Sequence, residues 1–295
     1  MLARPVRPDE VLRSYPERIV AIVGDDLRGF HPAYEDLMDA APASMPDATA
    51  QASGAWVRMA IDYALEHRIS VAVEGTFRRP ELTLGEAERF HAAGFHTHLV
   101  ALSVPAAVSR LSTLARYVTD HRESGHARWT PLDAHDAGYA GTPRTVAAAE
   151  VSPAIDRISV YNRAGVASFD RSRSDGPLSG AASAVEIGRM APMGELVALR
   201  WLRDFHNDVG YLREHGEVTR RMAPLLVQLS RDAENVLPIA HPDVNSASRR
   251  DARNRIHAEQ RSLDGALLKR GPAAPTTALG PQAPAPEQNI DGLEI

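Results

Sequence analysis

Between residues 19 and 172 short β-branched runs alternate with segments of helical periodicity, and this alternation restricts the fold more than any other feature of the chain. "IVAIV" at 19–23, "ISVAVEGT" at 69–76 and "HTHLVALSVP" at 96–105 read as strands. Between them, "AWVRMAIDYALE" places Trp56, Val57, Ala60, Ile61, Ala64 and Leu65 on one helical face. "LGEAERFHAAGF" reads as a helix stopped near Gly94, and "AAVSRLSTLARYV" as one with Val108, Leu111, Leu114 and Ala115 on its buried side. "DRISVYN" and "GVASFD" read as two short strands around a turn at Arg163–Gly165. Strands alternating with helices predict an α/β domain with a mostly parallel sheet flanked by helices. Ligands of such sheets sit at the carboxyl ends of the strands. Asp25, Glu74 and Ser103 all fall near strand ends, which predicts that they line one crevice.

After about residue 175 the pattern becomes purely helical. "GELVALRWLRDFHNDVGYLREH" carries a stripe of Leu196, Leu199, Leu202, Phe205, Val209 and Leu212, and "RRMAPLLVQLSRDAENVLP" repeats the arrangement. A more charged helix is expected over 248–269, and from Gly271 the Pro/Ala/Gln/Thr-rich composition predicts disorder. The expected organisation is an α/β domain at 1–175, a helical extension at 176–270 and a disordered tail at 271–295. With 44% hydrophobic residues the chain of 295 can bury a sizeable core, and its net charge of -5 gives no electrostatic case for nucleic acid or an anionic membrane. It has no cysteine, which excludes disulfides, thiolate nucleophiles and cysteine-bound zinc. No run approaches the ~20 apolar residues of a membrane helix, and the N-terminus lacks the apolar core of a secretory signal. A soluble cytoplasmic protein is expected. The only lysine is Lys269, so any phosphate must be met by arginine, backbone amides or a metal.

Four groups of residues could carry chemistry. Asp25, at a strand end, can take a proton from a hydroxyl or help hold magnesium; equally it can cap a helix or sit in a turn. In "VEGTFRR", Glu74 ends an apolar strand, Thr76 offers a hydroxyl, and Arg78 and Arg79 offer forks for phosphate. The bland reading is a turn with solvated arginines. In "LARYVTDHRESGHARWTP", Arg116 and Arg128 flank a polar, lid-like loop that suits a phosphoryl-transfer site, or else an exposed charged segment. His96 and His98 share a strand face and His121, His126 and His135 cluster in sequence, but no HExxH-like spacing occurs and no metal site is expected.

In order and spacing, "VGDDLRGFHPAY" (23–34), "VAVEGTFRRP" (71–80), "GFHTHLVALSVP" (94–105), "ARYV" (115–118), "ARWTPLDAHD" (127–136) and "VYNRAGV" (160–166) resemble the zeta toxins, kinase components of bacterial toxin–antitoxin systems. The resemblance covers residues 19 to 170. It implies a P-loop kinase-like fold, ATP and Mg2+ as cofactors, UDP-N-acetylglucosamine as the substrate phosphorylated on its sugar hydroxyl, and an antitoxin as a protein partner. It implies a general base at Asp25, transition-state arginines at Arg116 and Arg128, and substrate contacts from Glu74, Thr76 and Arg78. The acid that the family usually has two residues before the base is Val23 here.

One departure is large. The family's first strand and its G-x-x-x-x-G-K-[ST] loop are expected before residue 19, yet no glycine precedes Gly24 and no lysine precedes Lys269. That loop cradles phosphates with its amides and bridges them with its lysine. Its absence leaves the nucleotide-binding residues unassigned and predicts little turnover by these 295 residues alone. It also predicts that neighbouring strands lose a partner, and that Met1 is an internal methionine of a longer reading frame. Two alternatives stand beside this reading: a non-catalytic remnant that binds a nucleotide sugar or an antitoxin, and a P-loop kinase for another small-molecule hydroxyl.

Overall fold

A computed structural model describes residues 19–41 and 44–269; the tail at 271–295 lies outside them. Strand β1 (Val20–Ile22) runs into a one-turn helix α1 (Gly24–Leu27) and a 3-10 turn at Arg28–Phe30. Helices α2 (Tyr34–Ala40) and α3 (Met45–Ala48) precede α4 (Ala50–Glu66), which packs Ile61 against Ile22 and Phe90. After α4 the chain reverses through Arg68, held at φ 57°, and returns as β2 (Val71–Val73), parallel to β1 with Val20 opposite Val71. A helical crossover of this kind is what a parallel pair requires. Helix α5 (Pro80–Ala92) opens on a proline, whose missing N–H costs nothing at the first helical position, and its exit turns at Gly94 with φ 80°.

The second half of the α/β region comprises β3 (His98–Leu102), α6 (Ala106–Ser124), α7 (Leu132–Val151), β4 (Arg157–Tyr161) and β5 (Ala167–Ser172). β3 pairs parallel with β4, and β5 pairs antiparallel on the other side of β4. The α/β class is therefore as the alternation predicts. The sheet itself is divided: β1–β2 form one piece and β3–β4–β5 another. Among the described residues no strand lies between the pieces.

What joins them is a loop laid on a helix. Residues 76–78, just past β2, cross α7 at Gly138 and Gly141, where a Cβ at Gly141 would run into the Phe77 carbonyl oxygen and the Arg78 backbone. Thr145 donates its hydroxyl to the same Phe77 carbonyl at 3.0 Å, and Phe77 adopts φ 51°. Small residues on α7 let the backbones approach this closely.

Helices α8 (Ala181–Met190), α9 (Glu195–Glu214), α10 (Ala223–Ala240) and α11 (Ala247–Lys269) complete the described chain. α8 packs Ala181 and Val185 against the β4 side of the sheet. The stripes of α9 and α10, including Trp201, Phe205, Leu212, Leu226 and Leu229, share one core with Leu111, Leu114 and Tyr117 of α6 and with Trp129. The packing thus runs across residue 175. Arg110 of α6 forks onto Asp232 of α10 at 2.7 and 2.8 Å, and buried His206 and Glu259 tie α9 to α11 at 2.6 Å. Asp208, buried on α9, has an Oδ2 atom without a hydrogen-bond partner among the described residues, and burial pushes its carboxyl up to about 7. No described helix is long and apolar enough to cross a membrane.

Candidate active site

The site is built around one carboxylate. β1 delivers the chain to α1, where Gly24 sits against Val57 and Ser53 of α4. Ser53 donates its hydroxyl to the Gly24 carbonyl at 2.6 Å, fixing that junction. Asp25 and Asp26 therefore fall in the first turn of α1, where partial positive charge from free amides favours acids. Asp25 Oδ1 accepts from Arg28 Nε at 3.0 Å and from Arg128 Nη1 at 2.8 Å. Its other oxygen has no hydrogen-bond partner among the described residues, and the side chain is 40% exposed.

Arg28 is the more tightly held of the two arginines. Its Nη1 donates to the Pro46 carbonyl and to the Thr49 hydroxyl, both at 2.7 Å. Arg128 comes from the opposite wall, the loop between α6 and α7, and is anchored by its neighbour Trp129, which is 2% exposed. Burial lowers the Arg128 pKa; Asp25 and Glu74 oppose that shift, and Arg28 and Arg116 add to it. That pattern brings the charges of Asp25, Glu74, Arg28 and Arg116 within reach of one guanidinium. Asp120 of α6 also feels the charges of Arg116 and Arg128, so three guanidinium groups face three carboxylates, and it is the arginine forks, not a net charge, that a phosphate or another anion could recognise.

The sequence-predicted residues fall as follows. Asp25, Arg128, Glu74 and Arg116 are gathered around one cluster, Arg116 by its charge, since its side chain lies exposed on α6. Glu74 directly follows β2, with its amide bonded to the Ile22 carbonyl at 3.1 Å. Thr76 and Arg78 are exposed in the loop pinned on α7. Ser103 does not line the crevice: it is buried and donates to the Val185 carbonyl at 2.5 Å, fastening β3 to α8. The polar loop expected between Arg116 and Arg128 is shorter than that, because α6 continues through Ser124. His98 bonds Ser159 at 2.7 Å, and burial brings its pKa down to about 4, leaving a neutral ring in the sheet. Among the described residues no group of three or more His, Asp or Glu could hold a metal ion. Arg28 and Thr49 were not singled out from the sequence, although "DDLR" sets Arg28 three residues after Asp25, a spacing at which helical side chains meet.

Comparison with known proteins bears on the family and the fold. A family model described as Zeta toxin matches residues 10–174. Toxin zeta of Enterococcus hirae is 25% identical over 149 residues, covering 50% of this chain and 52% of that protein. Toxin PezT of Streptococcus pneumoniae serotype 4 is 26% identical over 152 residues, covering 51% of this chain and 60% of PezT. The chain spans about half the length of the curated relatives it matches. A solved structure from the PezAT chromosomal toxin–antitoxin system of Streptococcus pneumoniae superposes with a TM-score of 0.57 at 19% identity, covering 70% of this chain and 79% of that one.

Proposed function

The chain belongs to the zeta toxin family, and on that premise we propose that it carries the acceptor side of an ATP-dependent kinase acting on a sugar hydroxyl of UDP-N-acetylglucosamine. The observation that carries the reading is the meeting of Asp25 with Arg128, residues 103 apart in sequence, at 2.8 Å. In this reading Asp25 takes the proton of the attacking hydroxyl. Arg128 and Arg116 stabilise charge on the transferring phosphoryl group, with forks matched to its oxygens. Glu74, Thr76 and Arg78, on the loop after β2, hold the acceptor. Arg28 fixes the rotamer of the base.

ATP and Mg2+ are part of the proposal only as the donor they would supply. The residues present suit an acceptor and a phosphoryl group in transfer. They include no G-x-x-x-x-G-K-[ST] run and, among those described, no metal-ligand group. We therefore propose that these 295 residues alone turn over far below the ~1–100 s⁻¹ of intact kinases. From the PezAT likeness we also propose an antitoxin protein as a partner.

The test uses this chain joined at its front to a phosphate loop of the G-x-x-x-x-G-K-[ST] type. Asp25→Asn in that protein is expected to lower turnover by ~10²–10⁴-fold with folding retained. Arg128→Ala is expected to lower turnover more than nucleotide affinity, and Arg128→Lys to recover only part of it, because the charge returns without the fork. A silent Asp25→Asn beside a crippling Asp26→Asn would move the base by one residue. Silence at both, with Arg128→Ala also silent, would leave the binding-only reading.

A further inference from the structure

The helices after residue 175 lie outside the matched family region, yet the connection between α9 and α10, residues 215–222, touches both walls of the Asp25 site. α9 ends in a tight turn: Gly216 takes φ 67° and the Glu217 amide reaches back to the Leu212 carbonyl at 2.8 Å. This turn throws Glu217 over α6, while Val218 and Met222 sink into the shared core. Glu217 Oε2 accepts the Tyr117 hydroxyl at 2.9 Å. Its Oε1 lies 3.5 Å from His121 Nε2, and the other nitrogen of that ring bonds the Tyr211 hydroxyl at 2.8 Å. Tyr117 in turn stands edge-on to Trp129, with centroids 5.3 Å apart. Trp129 is the residue that anchors Arg128.

Four residues further on, Arg221 pairs with Asp47 and approaches the Ser44 hydroxyl at 3.5 Å. Asp47 belongs to α3, whose Pro46 carbonyl, with neighbouring Thr49, receives Arg28. The two routes are unequal. Tyr117 and Trp129 are buried, 4% and 2% exposed, and the part-buried hydrogen bond from Tyr117 to Glu217 is more sheltered from water than an exposed ion pair. Asp47 is exposed, and an exposed ion pair constrains little. Burial and the Glu217 hydrogen bond also hold the Tyr117 phenol well above its ordinary pKa, so it remains a donor.

We propose that Glu217 is a positioning residue for the Asp25–Arg128 pair, acting through Tyr117 and Trp129, with Arg221 as a weaker strut on the Arg28 wall. Its meaning for catalysis rests on the kinase reading of Asp25. Its geometry does not, so the test uses neither nucleotide nor acceptor. The full chain is labelled with 15N-arginine and 5-fluorotryptophan, and signals are assigned from Arg128→Lys, Arg28→Lys and Trp129→Phe. Arg110, on the same helix α6 but paired with Asp232, serves as the internal reference.

In Glu217→Ala, exchange of the Arg128 guanidinium protons is expected to accelerate about tenfold. The Trp129 fluorine signal should move, with Arg110 and Trp201 unchanged. Glu217→Gln, which keeps a carbonyl for Tyr117, should restore most of this protection, and Tyr117→Phe should reproduce the loss if Glu217→Ala does not fold. Arg221→Gln should affect Arg28 alone, and by less. An unmoved Arg128 signal in Glu217→Ala and Tyr117→Phe would overturn the proposal. So would equal acceleration at Arg110, which would mark a general loosening of the helices. Failure of the kinase reading would appear separately, as silence of Asp25→Asn in the longer protein.

Discussion

Asp208 is a carboxyl group held against its own charge. Its folded pKa, about 7, lies above the ordinary carboxylate value because burial outweighs the attraction of Arg122. Below about pH 4 both folded and unfolded chains bind the proton and the group costs nothing. As pH rises to about 7 the unfolded chain releases the proton first, and stability falls across that window. Asp208→Asn removes the titration. Its gain in thermal stability should be near zero at pH 4 and should grow to ~1–4 kcal/mol by pH 8, read by melting at a series of pH values. A pH-independent gain would place the carboxyl in contact with water. At this scale the sequence shows the groups that end strands. Asp25 and Glu74 were legible because a short apolar run points at each, and Arg128 because its loop is polar. Ser103 was misplaced by the same rule, since nothing local announces that α8 will cover it. Glu217 and Arg221 were invisible, because their partners Tyr117 and Asp47 lie far away in sequence.

Among the elements, α7 is the one whose existence the sequence hid. Its "LDAHDAGYAGTPRTVAAAEV" carries glycines and Pro143, and shows no apolar stripe, because its buried positions are Gly138, Gly141, Thr145, Val146 and Ala149. These positions were selected for closeness and not for greasy area, so a pattern search for hydrophobic periodicity passes over them. The strands were legible as β-branched runs, and α9 and α10 as stripes wide enough to be counted. The division of the sheet into two pieces could be anticipated only from a missing neighbour. Two glycine substitutions separate closeness from propensity. Gly85→Ala in α5 meets open space and should stabilise by ~0.5–1 kcal/mol, the usual gain of alanine within a helix. Gly141→Ala meets the Phe77 and Arg78 backbone and should cost ~1–3 kcal/mol or more while displacing the loop that carries Thr76 and Arg78. Denaturant melts of both variants check the signs, and a neutral Gly141→Ala would separate that loop from α7.

At the scale of the molecule, the helices after residue 175 are part of the fold that holds the site. Val108, Leu111, Leu114, Tyr117, Val118 and Trp129 are buried in the core shared with α9, α10 and α11. Each large apolar side chain returned to water forfeits ~1.5–3 kcal/mol, against a net stability of ~5–15 kcal/mol for a typical domain. A chain ended after Asp175 should therefore lose its cooperative melt, and calorimetry of that fragment is the measurement. A sharp transition near that of the full chain would refute the shared core. The divided sheet carries a further consequence, for handling and purification. Among the described residues β2 pairs with β1 alone and β3 with β4 alone, and Val73 and Leu102, at the ends of these two strands, are 44% and 46% exposed. A sheet border of that kind is a template on which another chain can add a strand. For these 295 residues, concentration is thus a variable as consequential as temperature: dilute, the border meets only water, and crowded, it meets copies of itself.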